Sequence, residues 1–174
     1  REISNLLKKS DLVFANLESV IKDGLEINDA KGSVDRLLYT NEKVVKEILP
    51  YLNIHCLSLA NNHIYDFKLN GIKKTIQTLN GLNIKFTGAG YKKEHIKPVI
   101  TQYSNIKIGF LAYVDKSTNP EIPKNSKIFI NYFDEKKILS DIDFLKNKVD
   151  YIILSIHWGI DYSHYPTNYQ VDIS

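Results

Sequence analysis

Short, largely apolar runs alternate along this chain with stretches whose apolar residues recur at helical spacing. The runs cover residues 12–15, 54–59, 84–87 and 151–156, and the first of them is unbroken, which is typical of a strand that is buried on both faces. Helical spacing is found in the segments between these runs. This alternation predicts an α/β domain with largely parallel central strands, and no domain boundary is visible.

Three segments depart from the alternation. Residues 99–103 and 106–114 flank a short turn signal, which predicts a β-hairpin. Residues 19–39 are rich in glycine and in turn-forming Asn and Asp, so we predict a long loop or a lid there. Residues 115–127 form a polar connection that contains prolines.

Composition excludes several classes of protein. The formal net charge is only +3 and the lysines are scattered, which argues against a nucleic-acid partner. The single cysteine, Cys56, excludes an internal disulfide framework and a Cys-rich zinc site. The sequence contains no methionine, so we interpret residues 1–174 as a single domain that is the central fragment of a longer one, incomplete at both ends.

Polar residues of the metal-ligand type follow three of the apolar runs. They are NLE (residues 16–18), NNH (61–63) and HWG (157–159). Because functional sites of open α/β sheets form outside the carboxyl ends of the strands, we expect these three groups to lie at one edge.

The chemistry of these groups is that of a cation site. The three groups would supply a carboxylate, an amide oxygen and an imidazole, a set that suits Mn, Fe, Zn or Mg better than a soft metal. A carboxylate can bridge two cations, and a neutral amide adds a ligand without adding charge. Two cations about 4 Å apart would hold a bridging water, lower its pKa and clamp a phosphate.

Each of these residues also has a purely structural interpretation. Glu18 would then be a solvated carboxylate after a strand, Asn61 and Asn62 would be turn formers, and His63 and His157 would be hydrogen-bonded histidines at the ends of elements. The metal-site hypothesis therefore depends on whether the groups converge in space.

Four blocks of the sequence resemble, in the right order, the bacterial capsule-synthesis protein CapA family, which is related to the calcineurin-like metallophosphoesterases. They are DLVFANLE (residues 11–18), SLANNHIYD (58–66), the segment 71–90 that ends in GAG, and IHWGIDY (156–162). The resemblance covers nearly the whole chain, and the combination of blocks is more specific than any block alone.

The resemblance implies a layered β-sandwich flanked by helices, with a two-metal site at the strand ends. Glu18 matches the metal-bridging acid of the family, and Asn62 and His157 match its metal ligands. His63 matches the histidine that contacts the phosphate or the leaving group. Asp66 would hold the far ring nitrogen of His63, which fixes the tautomer and raises the basicity of the ring. His63 and Asp66 are therefore the predicted catalytic residues.

The chain departs from the family pattern in two respects. Asp161 stands where a Glu is more often found, and its shorter side chain leaves its role open. The upstream Gly-Asp block and the downstream Gly-His-x-His block do not occur in this sequence. We therefore expect residues 1–174 by themselves to bind metal weakly or at one site only.

The resemblance implies a metal-dependent, phosphoesterase-type hydrolase domain of capsule or poly-γ-glutamate biosynthesis, with an anionic polymer or a phosphoester as substrate. The alternative is a non-catalytic component of a polymer assembly or export complex, in which the metal site is vestigial or structural. A third interpretation is an unrelated α/β domain. The expected location is the bacterial cell surface, with an anchor in a segment that precedes this sequence.

Overall fold

The computed structural model of the chain describes residues 2–24, 26–118 and 120–173. Its α-helices are α1 (Glu2–Leu7), α2 (Glu42–Tyr51), α3 (Lys68–Gly81), α4 (Glu135–Leu145) and α5 (Asn168–Ile173). Its strands are β1 (Phe14–Asn16), β2 (Val20–Ile21), β3 (Tyr39–Thr40), β4 (Cys56–Ser58), β5 (Lys85–Thr87), β6 (Ala89–Gly90), β7 (Val99–Tyr103), β8 (Ile106–Val114), β9 (Phe129–Ile130) and β10 (Tyr151–His157). The predicted alternation of strands and helices is thus present.

Two three-stranded sheets form the centre of the structure. The first sheet has the order β1-β4-β5 and is parallel throughout, with Asn16 opposite Ser58 at its carboxyl end. In the second sheet, β10 runs parallel to β8 and β7 runs antiparallel to it, with His157 opposite Val114. The antiparallel pair is the predicted hairpin, and its turn places Ser104 at a φ of 52°.

Side chains that alternate along β8 hold the layers together. Phe110 stacks on Phe14 of β1 with ring centroids 5.1 Å apart, so one face of β8 meets the first sheet. Leu111 and Tyr113 belong to the opposite face and pack against the apolar side of α4. Strand residues two apart share a face, which is why one strand can serve both contacts.

Helices α2 and α3 cover the outer face of the first sheet. Leu57 of β4 lies in one buried cluster with Val45 and Leu49 of α2 and with Ile72 and Ile76 of α3. The order of layers is therefore helices, first sheet, second sheet and helix, which confirms the expected β-sandwich flanked by helices.

Side-chain caps begin two of the helices. The side chain of Asn41 accepts a hydrogen bond from Val44 N at 2.9 Å, and that of Asp134 caps α4 in the same way. A glycine just after a helical pattern predicts a C-terminal cap, and Gly81 stands at that place in the sequence. The structure instead includes Gly81 in α3, and the left-handed residue after the helix is Asn83, with a φ of 55°. Asparagine can take that role because it tolerates the left-handed conformation better than other residues with a side chain.

The predicted loop at residues 19–39 carries structure of its own. Strands β2 and β3 pair in parallel at its two ends, and the connection between them contains the 3-10 turns Asp29–Lys31 and Val34–Arg36. We call this connection, residues 22–38, the long loop; residue 25 within it lies outside the described residues. None of the helices in the described ranges has the length and hydrophobicity that a membrane crossing requires.

Candidate metal centre

The carboxyl ends of β1, β4 and β10 bring three chain segments to one edge of the sandwich. Glu18 lies two residues after β1, Asn62 lies in the turn after β4, and His157 is the last residue of β10. The sheets carry these ends to the same place because β1 and β4 are parallel neighbours and the second sheet packs face to face on the first.

The three predicted metal-ligand side chains lie side by side. His157 Nε2 is 3.0 Å from Asn62 Oδ1 and 3.5 Å from Glu18 Oε1. The side chain of His157 is 22% exposed and that of Glu18 is 43% exposed, so the group opens to solvent. The structure therefore brings together residues that are far apart in sequence, as the metal-site hypothesis requires.

The donor set suits a divalent cation. Burial is the largest influence on His157 and lowers the pKa of its imidazole, His63 lowers it further, and the carboxylates of Glu18 and Asp161 raise it. A neutral imidazole can offer its Nε2 lone pair beside the oxygens of Glu18 and Asn62, and such a mixed oxygen and nitrogen set is one that Mn, Fe, Zn and Mg accept. Within the described residues there is no group of three or more His, Cys, Asp or Glu that could hold a metal, so Asn62 is needed to complete the set.

Asn61 connects the turn after β4 to the end of β1. Its fully buried side chain donates to Asn16 Oδ1 at 3.1 Å and to Leu17 O at 2.9 Å, and its Oδ1 accepts from His63 N at 3.1 Å. Asn16 in turn donates to Glu18 Oε2 at 3.3 Å. Asn61 thus has a turn-forming role, and it also sets the relative positions of Glu18 and His63.

His63 and Asp66 form the contact that the family resemblance leads us to expect. Nδ1 of His63 is 2.7 Å from Asp66 Oδ2, and the same oxygen accepts from Leu38 N at 2.7 Å. Asp66 is fully buried, whereas the side chain of His63 retains 13% exposure. With Nδ1 committed to Asp66, Nε2 is the ring nitrogen available to a substrate.

An open cleft of about 580 Å³ lies over His63 and Asn62. The long loop forms one wall, residues 118 and 121 come from the polar connection, and Asp161 and Tyr162 come from the segment after β10. The three predicted strand-end groups do not include Lys31 or Arg36, which also line this cleft. No local pattern distinguishes these two from surface cations, and only the folding of the long loop against the turn reveals them.

Two further residues behave as structural groups. Trp158 stacks on Phe133 with centroids 5.8 Å apart and meets Tyr169 edge to face, so it packs within an aromatic cluster. Cys56 is buried in β4, and desolvation raises the pKa of its thiol to about 12, which leaves it unreactive.

Comparison with known proteins identifies relatives of the whole sequence. The model of a family described as "Bacterial capsule synthesis protein PGA_cap" matches residues 1–174. The chain is 27% identical to the "PGA biosynthesis protein CapA" of Bacillus subtilis (strain 168), an alignment that covers 97% of this chain and 44% of that protein. It is 26% identical to the "Capsule biosynthesis protein CapA" of Bacillus anthracis, covering 96% of this chain and 42% of the relative. The chain therefore spans less than half the length of these relatives.

A solved structure shares the fold. The 5'-nucleotidase precursor from Thermus thermophilus superposes with a TM-score of 0.50, at 12% sequence identity, over 85% of this chain and 37% of that one. At this identity the likeness concerns the fold alone, and it agrees with the layered sandwich described above.

Proposed function

This chain belongs to the bacterial capsule synthesis protein family PGA_cap, and we propose that it is a metal-dependent hydrolase domain acting in capsule or poly-γ-glutamate biosynthesis. The observation that carries the proposal is the convergence of Glu18, Asn62 and His157 beside His63, with 3.0 and 3.5 Å between their facing atoms. The proposed substrate is a phosphoester or an amide of an anionic polymer.

Glu18, Asn62 and His157 would hold the cation, with water at its open positions. A divalent cation bound there would lower the pKa of a coordinated water and stabilise negative charge on the substrate. These three residues are a set for one cation, and a second cation requires donors beyond them. Mn, Fe, Zn and Mg all match this donor chemistry.

His63 would act as a general acid or as a stabiliser of anionic charge on the reacting group. Asp66 holds Nδ1 at 2.7 Å, which directs Nε2 to the cleft and fixes the tautomer that presents it. Because Asp66 is fully buried, this orientation does not depend on a solvent-exposed contact. The pair is therefore prepared before a substrate arrives.

Replacement of His63 in the full-length protein tests the reaction. With Mn²⁺ supplied, His63→Ala should lower the turnover of a generic phosphodiester or a γ-glutamyl substrate by about 10²- to 10⁴-fold, the range of general acid–base catalysis. His95→Ala is the matched control and should retain turnover, because the ring of His95 packs against Phe86 and Tyr91 and not in the cleft. Equal turnover in the wild type and His63→Ala would remove His63 from the mechanism.

A second candidate function is a non-catalytic component of a polymer assembly or export complex. The observation that favours it is that the predicted donors among the described residues, Glu18, Asn62 and His157, form a set for one cation rather than for the two that the family resemblance implies. Under this proposal, His157→Ala would abolish metal binding and capsule assembly, whereas His63→Ala would leave both intact. The proposed partners are other capsule-synthesis proteins at the bacterial cell surface.

A further inference from the structure

Lys31 is a buried cation in the long loop. The residue is 6% exposed, and it ends the 3-10 turn Asp29–Lys31. Its Nζ donates to the backbone oxygen of Asn62 at 2.9 Å and lies 3.7 Å from Asp66 Oδ1. Lysine is rarely buried unless its charge is paired, so this placement requires a reason.

Asp66 supplies that reason. One of its carboxylate oxygens, Oδ2, accepts from both His63 Nδ1 and Leu38 N. The other, Oδ1, is buried and has no hydrogen-bond partner among the described residues, so the charge of Lys31 is what compensates it. Lys31 and His63 form the ion pairs of Asp66 within the described part of the chain.

We propose that Lys31 is a positioning residue for both halves of the site, which are the metal-ligand group at Asn62 and the His63–Asp66 pair. One ammonium group contacts the backbone of Asn62, whose side chain faces His157, and neutralises the carboxylate that orients His63. Its contacts therefore set the direction of Asn62 Oδ1 and of His63 Nε2 together. This inference rests on the proposed function, which gives the positioning its purpose. The positioning itself can be measured without an activity assay.

The long loop is built to direct Lys31 inward. Asn28 begins the turn, with its Oδ1 accepting from Ala30 N at 3.3 Å and its Nδ2 donating to Glu121 O at 2.7 Å. Gly32 ends the turn at a φ of 72°, a conformation that side chains disfavour. The backbone of Asn28 also donates to Asp66 O at 2.9 Å, so the loop is attached to the turn beside Lys31.

An ion pair that only attached the loop to the rest of the protein would not need to be buried. The same loop has such an ion pair at the surface, where Lys68 Nζ lies 3.1 Å from Asp29 Oδ2 and the two side chains are 35% and 80% exposed. Exposed pairs of this kind contribute little to stability. Lys68 is therefore a matched control, because it contacts the same loop but neither Asn62 nor Asp66.

The test compares Lys31→Met, Lys31→Arg and Lys68→Met in the full-length, metal-free protein. Long-range ¹H–¹⁵N spectra of labelled histidine, with His63 assigned through His63→Gln, report which ring nitrogen carries the proton. We expect the wild type and Lys68→Met to show a single tautomer protonated at Nδ1. Lys31→Met should show a mixture of tautomers and loss of hydrogen-exchange protection at the Leu38 amide, and Lys31→Arg should restore the single tautomer.

A second readout concerns the cation. In calorimetric titration with Mn²⁺, Lys31→Met should bind about tenfold more weakly than the wild type, in the range of changes to groups that support metal ligands. Lys68→Met should match the wild type. A wild type that binds no Mn²⁺ would reject the proposed function, whereas the tautomer and exchange measurements would still decide the role of Lys31.

The inference is overturned if Lys31→Met keeps the single His63 tautomer and the protection of Leu38. It is also overturned if Lys68→Met disturbs them equally, since a general loosening of the loop would then explain both. If Lys31→Met does not accumulate as folded protein, Lys31→Gln provides the same comparison, because its amide is polar but carries no charge. Retention of the single tautomer in Lys31→Gln would likewise reject a role for the charge.

Discussion

The candidate site has two halves, the group of Glu18, Asn62 and His157 and the His63–Asp66 pair, which meet at the turn after β4 but are held in different ways. Asp66 is fully buried and has two contacts of 2.7 Å, so the His63–Asp66 pair is assembled by the protein alone. Glu18 is 43% exposed and its Oε1 lies 3.5 Å from His157 Nε2, so the group of Glu18, Asn62 and His157 is held less tightly than the His63–Asp66 pair. The His63–Asp66 pair is therefore part of the fold, whereas the more exposed strand-end group is the half that the proposed cation would complete.

The largest expected effect comes from breaking the buried half. Asp66→Ala removes the partner of Leu38 N and His63 Nδ1 and leaves the charge of Lys31 uncompensated. We expect a loss of about 3–5 kcal/mol in the free energy of unfolding, as for the removal of one member of a buried ion pair. Urea unfolding followed by circular dichroism checks this, and an unchanged midpoint would mean that the pair does not stabilise the fold.

Metal addition should act on the exposed half. Mn²⁺ at about 100 times its Kd should raise the free energy of unfolding by about 2.7 kcal/mol, since it binds the folded state only. The increase should disappear in His157→Ala, which removes the Nε2 that faces both Asn62 Oδ1 and Glu18 Oε1. Thermal unfolding with and without chelator measures it, and equal stabilisation of His157→Ala would place the cation elsewhere.

Asn61 joins the two halves, so its replacement should give an intermediate effect. Asn61→Ala deletes three hydrogen bonds of a fully buried side chain and leaves Leu17 O and His63 N without this partner. The expected loss is about 1–3 kcal/mol, the usual range for a buried group left unsatisfied. Urea titration in chelator separates this structural effect from any change in metal binding.

The smallest effect is expected at Glu18. Glu18→Ala in metal-free protein should change the free energy of unfolding by less than about 0.5 kcal/mol, because the side chain is exposed. The same variant should weaken Mn²⁺ binding, measured by calorimetry. A large loss of stability without metal would contradict the view that this half awaits a ligand.

Local sequence signals predict much of the fold. The Asn41 and Asp134 caps, the hairpin around Ser104 and the runs that form β1, β4, β5 and β10 depend on residues a few positions apart. Val44, Val45, Ile48 and Leu49 have the spacing of one apolar stripe on α2. In the structure Val45 and Leu49 are buried, but Val44 and Ile48 remain 42% and 45% exposed. Periodicity identifies an apolar face of a helix, but packing against the neighbouring layer decides how much of that face is buried.

For the candidate site, the residue types were enough to specify the donor chemistry and the strand ends that carry it, and the family resemblance selected Asn62 and paired His63 with Asp66. The packing of the layers was needed to establish that Asn62 Oδ1 faces His157 Nε2 and that Lys31 turns inward beside Asp66. The two kinds of information differ in range. Capping and periodicity act within a few residues of the chain, whereas the burial of one cation depends on a carboxylate that arrives from another segment when the layers pack.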